Sequence, residues 1–168
     1  MKQLFQFCNL RKRFLLPVMA LTMSLASSAQ AYFTEQVVQS REVELTTAFN
    51  EVEVIGDVTI ILTNNIEGKV VFQGDVKDVE QAKATVKHRK LVIQASRKKS
   101  QGKFTVYLPA STIKLLITSG KTEIFSSGTI KTRDMEIFLN GSSFVSVRYD
   151  GKLNLVPAAG YELINTRN

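Results

Sequence analysis

The stretch that decides the fold is Ile113–Val147, IKLLITSGKTEIFSSGTIKTRDMEIFLNGSSFVSV. One short pattern occurs in it twice, because an apolar triplet runs into Gly120 and a second triplet runs into Gly141, 21 positions later. A weaker third copy ends at Gly160, 19 positions after Gly141. Strands that end in small residues at a spacing of roughly 20 residues are typical of solenoid repeats. The sequence therefore predicts structural corners at Gly120, Gly141 and Gly160.

Outside this stretch, apolar and polar residues alternate at a period of two, which predicts half-buried strands. The alternating segments are 42–46, 51–54, 58–63, 69–73 and 104–108, and 85–93 is predicted as two strands around a basic turn. Between 75 and 83 the apolar spacing changes to three residues, and Asp75 suits the position of a helix cap, so a short helix is expected there. The prediction is an all-β fold: a right-handed parallel β-helix, or β-solenoid, preceded by antiparallel strands and one short helix. A β-sandwich is the alternative, because many short strands with turn signals also suit that class.

Aliphatic side chains spaced two apart in the C-terminal half are the predicted core. Charged residues lie between them, so the outer surface of the strands is expected to be polar, and further small-residue corners are expected at 126–128 and 150–151. The expected inward-facing residues are Ile113, Leu115, Ile117, Ile124, Ile130, Met135, Ile137, Leu139, Phe144, Val147, Leu153, Leu155 and Leu163.

The first 31 residues have the organisation of a secretory signal peptide. Four basic residues precede an apolar run of about 13 residues, and Ala29-Gln30-Ala31 forms a small-x-small cleavage site. The run is shorter than the roughly 20 residues that span a bilayer, and an uncleaved anchor is the alternative. We therefore predict a signal peptide at 1–31 and a single domain at 32–168. The predicted location is the periplasm, the outer-membrane surface or the extracellular space.

Removal of this leader changes the charge of the protein. The full chain has a formal net charge of +7, but four of its 22 Lys and Arg residues and none of its 15 Asp and Glu residues lie in the leader, which leaves +3. So low a net charge gives no argument for nucleic-acid binding, and nucleic acid is not expected as a partner. The only cysteine, Cys8, also lies in the leader, so the exported domain has no disulfide and no thiol for catalysis or metal binding. No other apolar run is long enough for a transmembrane segment.

A series of segments in fixed order is similar to a known domain family. The segments are Phe49–Val54, Val58–Ile60, Val70–Phe72, Gly74-Asp75, the short helix, Lys90–Ile93, Val106–Pro109, Leu115–Gly120 and Met135–Gly141. From about Arg41 to the C-terminus, the chain resembles the head GIN domain family of proposed autotransporter adhesins. The resemblance implies an exported bacterial β-helical domain of unknown function. Two corners, at Gly141 and Gly160, depart from the Ser-Gly-Ala type that members of this family repeat.

The sequence offers few groups for catalysis. His88 is the only histidine, and its basic neighbours repel metal ions, so a solvated turn is expected. Asp134 and Asp150 are the best candidates for a pair of catalytic carboxylates, but nearby arginines favour solvated ion pairs. No phosphate-binding loop, HExxH or CxxC motif occurs. We predict no catalytic residue, no metal site and no cofactor.

Basic residues cluster in two neighbouring segments of the chain. They form a candidate cationic patch made of Lys87, His88, Arg89, Lys90, Arg97, Lys98, Lys99 and Lys103. If the two segments converge, the patch suits lipopolysaccharide phosphates, acidic glycans or an anionic membrane surface. The alternative is that these side chains keep exposed strand edges from pairing with other chains.

The predicted function is that of an exported, non-catalytic surface-interaction module, adhesin-like, in a bacterial envelope. An envelope glycan, lipopolysaccharide or a protein is the expected partner. A carbohydrate-active β-helical enzyme and a purely structural envelope component are the alternatives. Because a short stack of coils leaves open ends, the sequence also predicts a homo-oligomer or an internal cap near Leu163-Ile164.

Overall fold

The computed structural model describes residues 38–95 and 103–158, which all lie within the unit Gln36–Asn168. The predicted leader at 1–31 lies outside the described residues. One α-helix, α1 (Val76–Gln81), and one 3-10 turn, Ala110–Thr112, occur in the described ranges. Neither has the length and apolarity that a membrane span requires. The strands are β1 Val38–Glu44, β2 Glu51–Ile55, β3 Val58–Thr63, β4 Lys69–Asp75, β5 Lys83–Lys87, β6 Lys90–Gln94, β7 Thr105–Pro109, β8 Leu115–Ser119, β9 Thr122–Asn140 and β10 Ser143–Pro157.

The ten described strands form one mixed sheet in the order β1-β4-β7-β3-β9-β8-β2-β6-β5, with β10 paired to β9. The central pairings are parallel, and the antiparallel ones, β1 with β4, β4 with β7 and β5 with β6, lie toward the two ends. Strand β9 connects two rows of strands, because its beginning pairs with β3 and its end pairs with β8. We call β4, β7, β3 and the start of β9 the first row, and β6, β2, β8 and the end of β9 the second row.

The prediction of a parallel β-helix preceded by antiparallel strands is wrong. Strands β2 and β3 do not precede the parallel region but lie inside it, since β2 pairs with β6 and β8, and β3 pairs with β7 and β9. The antiparallel strands belong to the same sheet, which also excludes the β-sandwich with its two separate sheets. Period-two alternation indicates that one face of a strand is buried, but it does not indicate which strand pairs with it. The all-β class and the short helix are confirmed.

The last two strands are longer than the sequence predicts, at 19 and 15 residues. The expected corners at 126–128 and 150–151 lie inside them. Strand β9 passes through Gly128 without a turn, and at Gly151 the pairing of β10 with β9 shifts between Asp150 and Lys152. A glycine within a strand marks a bulge as readily as a corner, so spacing alone does not distinguish the two.

Buried side chains from both rows form a single hydrophobic cluster. Six of the expected inward-facing residues are buried, namely Ile113, Ile124, Ile130, Met135, Ile137 and Leu139. Val147, Leu153 and Leu155 pack against the cluster while half-buried.

The prediction is wrong for Leu115 and Ile117, because Leu116 is the buried residue of β8. It is also wrong for Phe144, which is 58% exposed. Three consecutive apolar residues leave the orientation of a strand open, and a shift of one residue exchanges its faces. Leu163 lies outside the described residues.

Helix α1 covers the core beside β1 and β4. The Arg41 guanidinium donates hydrogen bonds to the carbonyls of Glu80 and Ala82 at the C-terminal end of the helix, where the helix dipole favours a cation. The same guanidinium lies 5.2 Å from the ring centroid of Phe72, a fully buried residue of β4. Arg41 therefore joins the helix to the strands beneath it.

Candidate functional site

Three stacked glycines form the bend between the two rows, which we call the glycine corner: Gly56, Gly120 and Gly141. Their φ values are 117°, 117° and 142°. A Cβ atom on Gly120 would lie 2.7 Å from the carbonyl oxygen of Gly56, and one on Gly141 would overlap the carbonyl oxygen of Gly120. Both contacts are with backbone, which cannot move aside as a side chain can. Glycine is therefore required here by space and by backbone conformation.

Hydrogen bonds continue through the glycine corner. The amide of Gly56 donates to Ser119 at 2.8 Å, and the amide of Gly120 donates to Asn140 at 3.1 Å. The Asp57 carboxylate accepts a hydrogen bond from the Lys121 amide at 2.9 Å. The three glycines themselves contribute only backbone groups to the corner. The third predicted corner, Gly160, lies outside the described residues.

Four residues of the predicted cationic patch, from the last residue of β5 to the first residue of β6, form the hairpin turn that joins these strands. His88 and Arg89 have φ values of 49° and 63°, and two consecutive left-handed residues are what a two-residue type I′ hairpin requires. The side chains of Lys87, His88 and Arg89 are exposed. Lys90 is half-buried, and its ammonium group pairs with the Glu53 carboxylate at 2.7 Å. One of the four charges is therefore balanced by a neighbouring strand.

Lys103 lies away from this turn. The Ala95 amide donates to the Ile55 carbonyl, and the Thr59 amide donates to the Phe104 carbonyl, so Ala95 and Phe104 lie beside the residues that flank Gly56. The hairpin turn lies at the other end of β6, five residues or about 17 Å away. Arg97, Lys98 and Lys99 lie outside the described residues. That the eight residues form one surface stays a prediction.

The two candidate catalytic acids face lysines. In the pairing of β9 with β10, Asp134 lies opposite Lys152 and Asp150 lies opposite Lys131, and both acids are exposed. His88 occupies the solvated turn described above. Within the described ranges, no group of three or more His, Cys, Asp and Glu side chains is arranged to hold a metal ion. Asp134 and Asp150 therefore lie on neighbouring strands, and each is opposite a lysine.

An apolar strip crosses the outer side of the first row. We call it the aromatic face, and it consists of Val71, Tyr107, Ile61, Phe125 and Phe144. The first four lie directly opposite one another on four adjacent strands. None of the five packs against the hydrophobic cluster. With strands about 4.8 Å apart, the line from Val71 to Phe125 is about 14 Å long.

Two phenylalanines form the end of the aromatic face. The rings of Phe125 and Phe144 have centroids 5.8 Å apart and planes inclined by 52°, within the favourable range for an aromatic pair. Phe144 is 58% exposed. Large exposed aromatic residues are costly in water and mark interaction surfaces when they join a larger apolar area.

A row of polar side chains runs parallel to the aromatic face, two residues along each strand. Thr105, Thr59 and Glu123 lie opposite one another, and Gln73 lies opposite Thr105. The Tyr107 hydroxyl donates to the Gln73 side-chain oxygen at 2.7 Å, and the Thr59 hydroxyl lies 3.5 Å from the Glu123 carboxylate. Donors and acceptors thus border the rings at fixed positions.

A polar groove of about 680 Å³ lies between the 3-10 turn and the middle of β9 and β10. Its floor contains the buried residues Ile113 and Met135. Its walls carry hydroxyl, ammonium and carboxylate groups from Ser111, Thr112, Lys114, Lys131, Asp134 and Lys152. The volume lies within the range of small-ligand sites, roughly 300–1,000 Å³.

Sequence reasoning missed both the aromatic face and the groove. The face is assembled from five strands, each of which contributes one residue, so no local pattern contains it. One signal was available: Ile61, Tyr107 and Phe125 stand at positions of their strands where alternation predicts a polar residue. The groove has no comparable signal, because its walls come from segments about 20 residues apart.

The comparison with protein families identifies residues 48–161 with the family described as "Putative auto-transporter adhesin, head GIN domain". This match covers more than half of the chain. The protein belongs to the head GIN domain family. No curated protein matches the chain.

Solved structures similar to this head GIN domain are described as those of putative adhesins. The one from Bacteroides fragilis is 18% identical, with a TM-score of 0.51 over 73% of this chain and 61% of that chain. The one from Parabacteroides merdae is 13% identical, with a TM-score of 0.51 over 72% of this chain and 52% of that chain. These similarities show the fold alone. The head GIN domain chain spans little more than half the length of these neighbours.

Proposed function

We propose that this head GIN domain protein is an exported, non-catalytic, adhesin-like module that binds glycans of the cell envelope through the aromatic face. The observation that carries the proposal is the line of Val71, Tyr107, Ile61 and Phe125 across four strands, together with Phe144, whose ring contacts Phe125 from a position two residues out of register on β10. Export is supported by the predicted leader at 1–31 and by the adhesin description of the family.

The chemistry of the aromatic face suits a sugar better than a purely apolar ligand. A pyranose ring has apolar C–H faces, which pack on aromatic rings, and hydroxyl groups at its edge, which form hydrogen bonds. The rings of Tyr107, Phe125 and Phe144 provide the first kind of contact. Gln73 and Glu123, in the adjacent row, provide the second. A face about 14 Å long accommodates a short oligosaccharide.

A rigid sheet also lowers the cost of binding. The outer side chains of β7, β3 and β9 are held by strands that pair on both sides, and their inner neighbours are buried. Fewer side chains then lose conformational freedom when a ligand binds. A non-catalytic role fits the same surface, because its only carboxylate, on Glu123, lies beside the Thr59 hydroxyl and has no second acid in the polar row.

The test is binding of the purified protein to an array of neutral oligosaccharides. We compare the native protein with a double variant, Phe125→Ser and Phe144→Ser, which removes two rings of the aromatic face. The matched control is Phe138→Ser with Val156→Ser; Phe138 lies on the outer side of the second row, and Val156 lies opposite it on β10. Circular dichroism and thermal unfolding establish that each variant is folded.

We expect the native protein to bind at least one neutral oligosaccharide, the aromatic-face variant to bind it at least tenfold more weakly, and the control to remain within twofold. A tenfold loss corresponds to about 1.4 kcal/mol, a reasonable contribution for two ring contacts. Absence of binding to every saccharide, or an equal loss in both variants, would contradict the proposal.

A further inference from the structure

We infer that the polar groove is a second binding site, specific for a saccharide that carries a negatively charged group. The site is independent of the aromatic face, since none of its lining residues belongs to that surface. It also differs from the predicted cationic patch, because its three lysines, Lys114, Lys131 and Lys152, all lie outside segments 87–90 and 97–103.

The three lysine ammonium groups are available to a ligand. All three side chains are exposed, and among the described residues none has an ion pair or a side-chain hydrogen bond. By contrast, Lys69 and Lys90, on other parts of the sheet, each pair with a glutamate at 2.7 Å. The groove is lined by three ammonium groups and two carboxylates, those of Asp134 and Glu136, and this excess of positive charge raises the local concentration of anions. The groove therefore attracts a negatively charged group.

The remaining walls indicate that the ligand carries hydroxyl groups as well as an anion. Ser111 and Thr112, in the 3-10 turn, are exposed. Asp134, opposite Lys152, supplies an acceptor for ligand hydroxyls. A small inorganic anion would be repelled by this carboxylate, and it lacks the neutral hydroxyl groups that a sugar can direct toward the carboxylate while its charged group lies beside the lysines. A sugar that carries a carboxylate, sulfate or phosphate can place that group beside the lysines and donate hydrogen bonds from its hydroxyl groups to Asp134.

The groove is also held in a defined shape. The Glu136 amide donates to the Lys114 carbonyl at 2.9 Å, which ties β9 to the segment after the 3-10 turn. The Asn154 amide group donates to the Glu136 carboxylate at 2.7 Å, which fixes β10 beside it. Ile113 and Met135 are buried beneath. The three lysines therefore project from a wall that is already ordered before a ligand binds.

The experiment measures binding of the purified protein to a short oligogalacturonate by calorimetry. The neutral methyl ester of the same oligosaccharide is the matched ligand without charge, and inorganic phosphate is the anion without a sugar. The variant is Lys114→Ser, Lys131→Ser and Lys152→Ser together. The control variant, Lys77→Ser, Lys83→Ser and Lys121→Ser, loses the same net charge from exposed lysines outside the groove.

We expect the groove variant to bind oligogalacturonate at least tenfold more weakly than the native protein, and the control variant to stay within threefold. We also expect the methyl ester and phosphate to bind at least tenfold more weakly to the native protein. If the groove variant and the control variant lost affinity for oligogalacturonate equally, the loss would be explained by net charge alone. If phosphate bound the native protein as tightly as oligogalacturonate, the groove would be a site for anions in general. Either result, or no binding of oligogalacturonate, overturns the inference.

The aromatic-face variant separates this inference from the proposed function. Phe125→Ser with Phe144→Ser should leave oligogalacturonate binding unchanged, because neither residue lines the groove. Loss of binding in that variant would mean that the charged saccharide binds at the aromatic face and that the groove is not a site.

Discussion

The glycine corner lies just before β3 and at both ends of β9, and the aromatic face crosses the same two strands, yet the two regions are determined by different physical constraints. At the corner, the backbones of stacked glycines are in contact, and no space remains for a Cβ atom on Gly120. On the face, the side chains of Ile61 and Phe125 project away from the core and could be replaced without a steric conflict. The glycine corner determines whether the sheet can bend, and the aromatic face determines which ligands the sheet can bind.

This difference separates stability from binding in a way that experiments can test. Substitutions at the corner should lower the free energy of unfolding, and substitutions on the face should leave it nearly unchanged while they affect ligand affinity. A protein whose aromatic face contributed as much to stability as its corner would not support a binding role for that face.

The largest effect is expected for Gly120→Ala. The new Cβ would lie 2.7 Å from the Gly56 carbonyl oxygen, and a residue other than glycine is strained at a φ of 117°. We expect a loss of about 3 kcal/mol or more in the free energy of unfolding, measured by urea denaturation.

Two other glycines serve as controls for this substitution. Gly68 has a φ of 65° with open space around it, so Gly68→Ala should cost only about 1 kcal/mol. Gly128 has open space and lies inside β9, so Gly128→Ala should be neutral or slightly stabilising. Similar losses for Gly120→Ala and Gly68→Ala would show that close backbone stacking adds little at the corner.

A smaller loss is expected for Thr122→Val, just after the glycine corner. The buried Thr122 hydroxyl lies 2.9 Å from the Ser143 hydroxyl, and valine would leave that partner without its hydrogen bond. We expect a loss of about 1 kcal/mol in thermal or urea unfolding. The control is Thr59→Val in the polar row, where a half-buried hydroxyl lies 3.5 Å from Glu123, and there the loss should be below about 0.5 kcal/mol. Equal losses of stability for Thr122→Val and Thr59→Val would show that the corner contributes no more to stability than the polar row beside the aromatic face.

Phe144→Ser should change stability by less than about 0.5 kcal/mol, because the side chain is 58% exposed. Its neighbour Val145 faces the other way and packs against the core, so Val145→Ser should cost more, about 1–2 kcal/mol. Urea denaturation of the two variants gives the comparison. If Phe144→Ser were the more destabilising substitution, Phe144 would be a packing residue and not part of a binding face.

The smallest effect is expected for the ion pair of Lys90 with Glu53. Its side chains are 34% and 27% exposed, so solvent screens the charges despite the 2.7 Å distance. A double-mutant cycle with Lys90→Met and Glu53→Gln should give a coupling of about 0.5 kcal/mol at low salt, which decreases as salt is added. A coupling that did not change with salt would indicate a hydrogen bond insulated from solvent.

Particular residues show how far the sequence predicted the fold. Val52, Val54, Ile60 and Leu62 alternate with polar residues, and their burial follows directly from that pattern. The glycines at 120 and 141 stand out by their spacing. The order of strands does not follow from either signal, because β2 lies between β6 and β8, which are distant from it in sequence. Pairing of that kind depends on which faces fit together once the chain has collapsed.

The candidate sites were less accessible to prediction than the fold. The basic turn at Lys87–Lys90 is local, so the sequence located it correctly as a turn. The aromatic face combines Val71, Tyr107, Ile61 and Phe125, which become neighbours only through the pairing of four strands. The groove likewise needs the 3-10 turn to lie beside β9. Clustering of side chains from separate strands is a property of register, and register is not encoded in any one segment.

The sequence by itself determined that this is an all-β domain, that a short helix follows Asp75, and that the chain turns at Gly120 and Gly141. These are local properties: alternation, capping and backbone freedom act over a few residues. Only the tertiary structure decided that the strands join one mixed sheet, that Leu116 rather than Leu115 faces the core, and that three lysines surround one groove. The reason is that these features depend on contacts between residues that are far apart in the chain, and the free energy of such contacts is settled only when the whole sheet has formed.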